Sequence, residues 1–217
     1  GLEGETISGS WGWADSSHKV PMTTRTVIDM ASVTKTAAGI TAFLAAHAKG
    51  MVDFDTPFTN SLPAYSVALS RKITIRDLAN HISGFGEADG NPRVYFTTNA
   101  TQMLQNILSM PPKEPIKNKV FYSCRNYILL GQLFETITGR GIVEFCQNEI
   151  FDVIGMSDTS LGAPRVGIEQ NRLAQTMGTK SVGQISDWVA SPLFAANIGT
   201  FNAGMFSSAE DMAKLLR

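Results

Sequence analysis

The sequence predicts a mixed fold, α/β plus all-α, in which one part of the chain builds sheet and the other builds mainly helix. Three observations carry this prediction. The chain opens on strand-type residues, ETISGSWGWAD, where small, β-branched and aromatic side chains alternate before the polar turn Asp15-Ser16-Ser17. Its middle holds a succession of stretches with helical spacing, each with a recognisable start or stop signal. With 217 residues, 43% of them hydrophobic, there is enough apolar material for the core of one or two domains.

The helices follow in order. From Ser32 to Lys49 the apolar residues Val33, Ala37, Ile40, Phe43 and Leu44 recur at three and four positions, and Gly50 stands where a helix C-terminal glycine belongs. MVDFDTPFTNSLP reads as an irregular surface segment. In ITIRDLANHISGF, Thr74 and Asp77 have the spacing of a capping box, which starts a short helix expected to end at Gly84. Asn99 and Gln102 repeat that signal before MLQNILSM, and Pro111-Pro112 stops the run. NYILLGQLFETITG puts Ile128, Leu129, Leu133 and Ile137 on one face with Gly139 past its end, and IVEFCQNEIFDVIG continues as another helix. Beyond Thr159 the chain reads as loop-rich until SSAEDMAKLLR, where Ser207 and Glu210 are the expected cap of a final helix. No internal repeat or low-complexity segment interrupts this pattern.

Charge and composition exclude several functions. The formal net charge is -1 and no basic stripe appears, so no nucleic-acid partner is expected. No apolar run is long enough to cross a bilayer. GLEGETISGS has neither the basic nor the apolar region of a secretion signal, although a processed chain would have lost one. Cys124 and Cys146 lack CxxC or His-rich spacing, so no metal site is expected, and two free thiols are the preferred state over a disulfide. No metal or organic cofactor is implied.

One short stretch suggests chemistry. ASVTK, residues 31–35, places a serine and a lysine three apart at the edge of the apolar run TAAGITAFLAA. On a helix Ser32 and Lys35 would stand side by side at the first turn, where unpaired backbone N–H groups and the helix dipole stabilise negative charge on an oxygen. An amine shielded from water gives up its proton more easily, so a lysine there can accept a serine proton. The plainer reading makes Ser32 an N-cap and Lys35 a solvated first-turn residue. On spacing alone the plainer reading is the stronger, because Ser16 and Lys19 repeat the pattern in a polar turn with no assigned chemistry.

Context changes the balance. PMTTRTVIDMASVTKTAAG, ITIRDLANHISGF, FYSCRNYILLGQLFETITGRG, EIFDVIGMSDT and GTFNAGMFSSAEDMAKLL resemble, in order and spacing, the serine β-lactamase-like family of class C β-lactamases, D-Ala-D-Ala carboxypeptidases and related esterases. The likeness covers nearly the whole chain. It implies an antiparallel sheet flanked by helices, drawn from both ends of the chain, with a helical subdomain in the middle. Residues 1–55 and 188–217 would form the α/β part, and residues 56–187 the mostly helical part. It further implies that Ser32 is the acylated nucleophile, Lys35 its partner, and Tyr122 the phenol that shuttles the proton among nucleophile, leaving group and water. A phenol held near a cationic amine is a usable base near neutral pH. Alone, Tyr122 would read as an amphipathic helix-edge tyrosine.

Two departures from the family pattern stand out. Its second motif ends in Asn or Asp where this chain has Tyr122-Ser123-Cys124, and a thiol makes only weak hydrogen bonds to a substrate amide. Cys124 is therefore the candidate substrate-binding residue. Asn126, two positions on, fits the ordinary pattern of that block and is not a replacement. Its third motif, Lys-Thr-Gly or His-x-Gly on a late strand, occurs nowhere in these residues. Neither His18, His47 nor His81 is a candidate for it; His81 matches a loop position with a structural role, and His47 sits near a helix C-terminus, where a cation is favoured.

The resemblance implies a serine hydrolase acting through an acyl-enzyme on an ester, a D-amino-acid peptide or a β-lactam, with a cell-envelope or secreted location. A relative that binds cell-wall peptide or a protein partner without turnover is the alternative, favoured by Cys124 and the missing motif. These residues are expected to be a fragment with an incomplete sheet, completed by a C-terminal segment or a second chain, and inactive alone. The final helix lacks a stop signal, and the absent strand would supply one of the two backbone donors for the oxyanion.

Overall fold

The computed structural model describes residues 7–65, 72–86, 99–112, 117 and 119–217. Of the opening strand reading, Glu5 and Thr6 lie outside the described residues, and residues 7–12 form no strand. Pairing begins only at β1, Trp13–Asp15, which runs antiparallel to β2, Val20–Pro21. Gly12 at φ +79° breaks the extended run just before β1, and its carbonyl still accepts the Met22 N–H at 2.9 Å. The connecting turn folds around Asp15, whose carboxylate accepts the N–H groups of Ser17 and His18.

β3, Ile28–Asp29, leads directly into the helical run expected from Ser32 to Lys49. That run is not uniform. It opens as a 3₁₀ turn at Ala31–Val33, widens to a π-helix at Lys35–Ile40 and becomes regular in α1, Thr41–Ala48, with Gly50 at φ +71° beyond its end. The π segment is buried through Ala37, Ala38 and Gly39, and a side chain at Gly39 would stand 3.1 Å from Phe201 Cβ. Small residues are thus needed where this helix meets the rest of the core.

α2, Ile75–Ala79, has the full Thr74/Asp77 capping box. It stops earlier than Gly84, because the chain turns at Asn80 and His81 takes φ +57°. α3, Ala100–Ser109, starts at Asn99, whose side chain accepts the Gln102 N–H, and ends before Pro111-Pro112. α4, Cys124–Thr138, ends at Gly139 in the left-handed conformation. α5, Ile142–Cys146, continues into a π turn at Gln147–Phe151.

The segment after Thr159 is more ordered than its composition suggests. It holds β4, Ser160–Leu161; α6, Ala190–Ala195; β5, Met205–Ser207; and α7, Ala209–Leu215. β5 is the centre of a three-stranded antiparallel sheet, paired through Ser207 with Ile28 of β3 and through Met205 with Leu161 of β4. The cap of α7 is Ser208, which accepts the Asp211 N–H, and not the Ser207/Glu210 pair. Ser207 is still strand, with its hydroxyl 2.7 Å from Thr159 Oγ1, so the next serine takes the cap. The described chain therefore combines antiparallel sheets with flanking helices, the fold class expected from sequence.

A single large apolar cluster joins α1, α4, α5 and the loop before β5. Phe134 is its hub: its ring lies 5.3 Å from Phe43, 4.8 Å from Phe145 and 5.7 Å from Phe201, each edge-on. Gly131 on α4 lets the loop approach closely, since a Cβ there would stand 3.0 Å from Thr200 Cα. This contact fixes residues 199–202 against α4 and so sets the position of the site.

Candidate active site

Ser32 is presented on a strained turn. Ala31 has φ +43°, unusual for a residue with a Cβ, and its N–H is held at 2.9 Å by Asp29 Oδ1 at the end of β3. Thr34 anchors the same turn: its hydroxyl donates to Ala31 O at 2.6 Å and accepts the Met205 N–H of β5 at 3.0 Å. Ser32 therefore stands exposed on a rigid support, with its N–H in a first helical turn that offers no intrahelical acceptor.

Lys35 points the opposite way in burial. It is only 3% exposed, yet its ammonium has three neighbours: Ser32 Oγ at 2.9 Å, the Asn202 carbonyl at 2.7 Å and Cys124 Sγ at 3.5 Å. Its Nζ also lies 5.0 Å from the centroid of the Tyr122 ring. Such partners are what make an amine tolerable at this depth.

Tyr122 and Cys124 come from the N-terminal edge of α4. Ser123 is the cap, accepting the Arg125 N–H and donating its hydroxyl to Gly86 O at 3.0 Å. Tyr122 precedes the cap, is half exposed, and donates its phenol to Ser32 Oγ at 2.8 Å. All four side chains singled out in the sequence are thus within one hydrogen-bonded group. A second tyrosine, Tyr127, lies near Lys35, with the amine 5.9 Å from its ring centroid. Burial first, and the neighbouring Tyr122 second, push its phenol up to about 12, and it donates to Ala79 O at 3.0 Å. Tyr127 is a neutral donor with its hydroxyl already committed.

One member of the site was not foreseen. The Asn202 carbonyl takes the shortest bond from Lys35, and a buried network holds that residue. Its amide donates to Asp187 Oδ1 at 3.1 Å and its side-chain oxygen accepts the Thr200 hydroxyl at 2.7 Å. Asp187 also accepts the Val189 and Ala190 N–H groups, while the adjacent Ser186 donates to Asp29 Oδ2 through both its N–H and its hydroxyl. Asp29 thus joins the support of Ser32 to the loop that serves Lys35.

The other sequence candidates fall elsewhere. Ser16 and Lys19 lie in the β1–β2 turn. His18 pairs with Asp15 at 2.7 Å, and His47 sits 2.6 Å from Val52 O. Cys124 and Cys146 are not joined in a disulfide, and burial pushes the Cys146 thiol up to about 12. Among the described residues no cluster of His, Cys, Asp or Glu could hold a metal ion, and no helix is long and apolar enough to cross a membrane.

Comparison with known proteins places the chain. A family model described as Beta-lactamase matches residues 3–217. A penicillin-binding protein of Bacillus subtilis (strain 168) is 27% identical over 169 residues, covering 74% of this chain and 36% of that protein. The crystal structure of a beta-lactamase/D-alanine carboxypeptidase from Yersinia pestis, complexed with citrate, superposes with a TM-score of 0.73 at 22% identity, covering 97% of this chain and 58% of the other. A D-amino acid amidase from Ochrobactrum anthropi SV3 superposes with a TM-score of 0.70 at 25% identity, over 95% of this chain and 59% of the other. The chain spans 36% and 56% of the length of two curated relatives it matches. With a family match that runs from residue 3 to residue 217, the chain belongs to the Beta-lactamase family.

Proposed function

We propose that this chain carries the nucleophile and the proton-transfer groups of a serine hydrolase that works through an acyl-enzyme. The observation that carries the reading is the exposed Ser32 Oγ, with Lys35 Nζ at 2.9 Å and the Tyr122 phenol at 2.8 Å. Ser32 Oγ attacks the substrate carbonyl carbon as its proton passes to the Tyr122 oxygen and the phenol's own proton moves on toward the leaving atom, so that Tyr122 relays the proton while Lys35 Nζ holds Ser32 Oγ in place. The Ser32 N–H is one donor to the oxyanion. Collapse of the tetrahedral intermediate breaks the bond to the leaving oxygen or nitrogen, which takes the proton from Tyr122. Water then attacks the acyl carbon, gives its proton back through Tyr122 to Ser32, and releases the acid.

Ester, D-amino-acid peptide and β-lactam are the substrate classes, and a cell-envelope or secreted location suits the second and third. Ser32 and Lys35 fall in the α/β part, residues 1–55 and 188–217, and Tyr122 and Cys124 in the helical part, residues 56–187, so the site is assembled across their boundary. Cys124 decides among the classes. A thiol beside Lys35 replaces an amide that could bind a substrate amide, so activated esters are favoured over β-lactams. The same thiol supports the second reading, binding of a peptide or protein without turnover.

The test is a pre-steady-state burst of nitrophenol from a nitrophenyl ester, together with cephalosporin hydrolysis, in the parent and in Cys124→Asn. The expected results are a burst of one equivalent, poor cephalosporin turnover, and a shift toward the cephalosporin of about 10- to 100-fold in Cys124→Asn, the scale of one buried polar contact. Efficient cephalosporin hydrolysis by the parent refutes the ester preference, and absence of any burst with intact ligand binding favours the second reading.

A further inference from the structure

His81 takes no part in the steps above, yet it grips the segment that bears Tyr122 from several sides. Its Nδ1 lies 3.2 Å from the Ser123 N–H donor and 2.9 Å from Asn126 Nδ2. Its carbonyl accepts the Phe121 N–H at 2.8 Å. Its ring lies 4.7 Å from the Tyr122 ring at an interplanar angle of 34°, and 5.3 Å from that of Tyr127. Ser123 on one side of Tyr122 and the phenol ring itself therefore rest on the imidazole, while Phe121 on the other side is held by the backbone carbonyl of the same residue.

We propose that His81 is a positioning residue for Tyr122: a neutral imidazole, protonated at Nε2, whose Nδ1 lone pair and ring hold the phenol against Ser32. The tautomer follows from the partners. Asn126 Oδ1 accepts the buried Ser83 hydroxyl at 2.6 Å, which turns the amide so that Nδ2 faces the ring. The Ser123 backbone group can only donate. Two donors thus converge on Nδ1, and a proton there would set both against it. The groups facing the ring are the Lys35 ammonium from the π-helix, Tyr122 from the segment before α4 and Tyr127 from α4. Burial first, and the Lys35 charge second, hold the imidazole below its ordinary 6.5, so the neutral form persists through neutral pH. His81 also sits at φ +57°, a conformation in which histidine, asparagine and aspartate are over-represented.

This inference rests on the acyl-enzyme reading, and the experiment separates the two. The rate of Ser32 modification by a fluorophosphonate is followed by intact mass from pH 5 to 8 in the parent, Tyr122→Phe, His81→Ala and His81→Asn. Nitrogen-15 NMR of the histidine rings in the parent gives the His81 tautomer and titration directly. Tyr122→Phe is expected to be slow, and His81→Ala to lose about 10- to 100-fold, the scale of a small misplacement of a reacting group. His81→Asn keeps an acceptor and tolerates the left-handed backbone, so it should recover most of that loss. In the parent the rate should fall in acid along the NMR titration of His81, and in His81→Asn that component should vanish. If Tyr122→Phe is slow while His81→Ala reacts within about threefold of the parent, the positioning role is overturned and the acyl-enzyme reading stands. If Tyr122→Phe reacts at the parental rate, Tyr122 is not the proton carrier and the positioning role falls with it while Ser32 stands as the nucleophile; absence of Ser32 labelling in the parent overturns the acyl-enzyme reading itself. A proton on Nδ1 at neutral pH overturns the role whatever the variants do.

Discussion

Ser32 Oγ receives two hydrogen bonds, and the two donors differ in what surrounds them. Lys35 is buried and donates to a backbone carbonyl, so its place beside Ser32 is fixed; Tyr122 is half exposed and open to a substrate. Lys35→Ala should therefore slow acylation of Ser32 by about 10²- to 10⁴-fold, the range for loss of a positioned proton-transfer group. Stopped-flow nitrophenol release measures it, and a loss under about fivefold would make Lys35 structural only. The two thiols offer a second contrast. Cys146 is fully buried with its thiol pushed up to about 12, whereas Cys124 is partly exposed at the site. Iodoacetamide at pH 8 should alkylate Cys124 in the folded chain and Cys146 only after unfolding. Peptide mapping reads this out, and equal labelling of both thiols would contradict the described packing.

At the scale of elements, the site depends on the loop before β5 reaching α4. Gly131→Ala would set a methyl 3.0 Å from Thr200 Cα and 3.1 Å from Gly199 O, two and three residues before the carbonyl that receives Lys35. We expect a loss of about 1–3 kcal/mol in urea unfolding, typical of overpacking, accompanied by slower Ser32 acylation. Unchanged stability and rate would mean that the loop adapts freely. Ser208→Ala should cost about 0.5–2 kcal/mol through loss of the α7 cap. These elements also show what the sequence made legible. Helix starts at Thr74 and Asn99 and stops at Gly50 and Gly139 were readable because a side chain or a glycine performs the capping. β3, β4 and β5 were not, since strands of two or three residues are too short to display alternation. The α7 cap was misread by one residue because adjacent serines present the same signal, and only the β5 ladder decides between them.

Across the whole molecule the site draws on segments far apart in sequence: the turn at Ala31–Val33, the loop at His81, the start of α4 and the Asp187–Asn202 loop. Ser32, Lys35, Tyr122 and Cys124 could be named from sequence because their side chains sit in family motifs. Asn202 could not, because what it supplies is a backbone carbonyl, which leaves no residue-type signature. His81 was recognisable as structural, but its tautomer and its grip on Tyr122 depend on contacts from Ser123 and Asn126. Its lowered value has a consequence for stability. The unfolded imidazole takes up a proton at higher pH than the folded one, so this contribution is complete above about 6.5 and is lost as pH falls through the folded value. The urea midpoint should drop between pH 7 and pH 5, and His81→Asn should drop less; equal drops would assign the effect to other groups. The central claim is that Ser32 is the nucleophile, and its most direct measurement is intact mass after treatment with a fluorophosphonate, followed by peptide mapping. A single adduct on Ser32 that Ser32→Ala abolishes is expected; an adduct that survives Ser32→Ala, or maps to Ser16, would rule Ser32 out as the nucleophile.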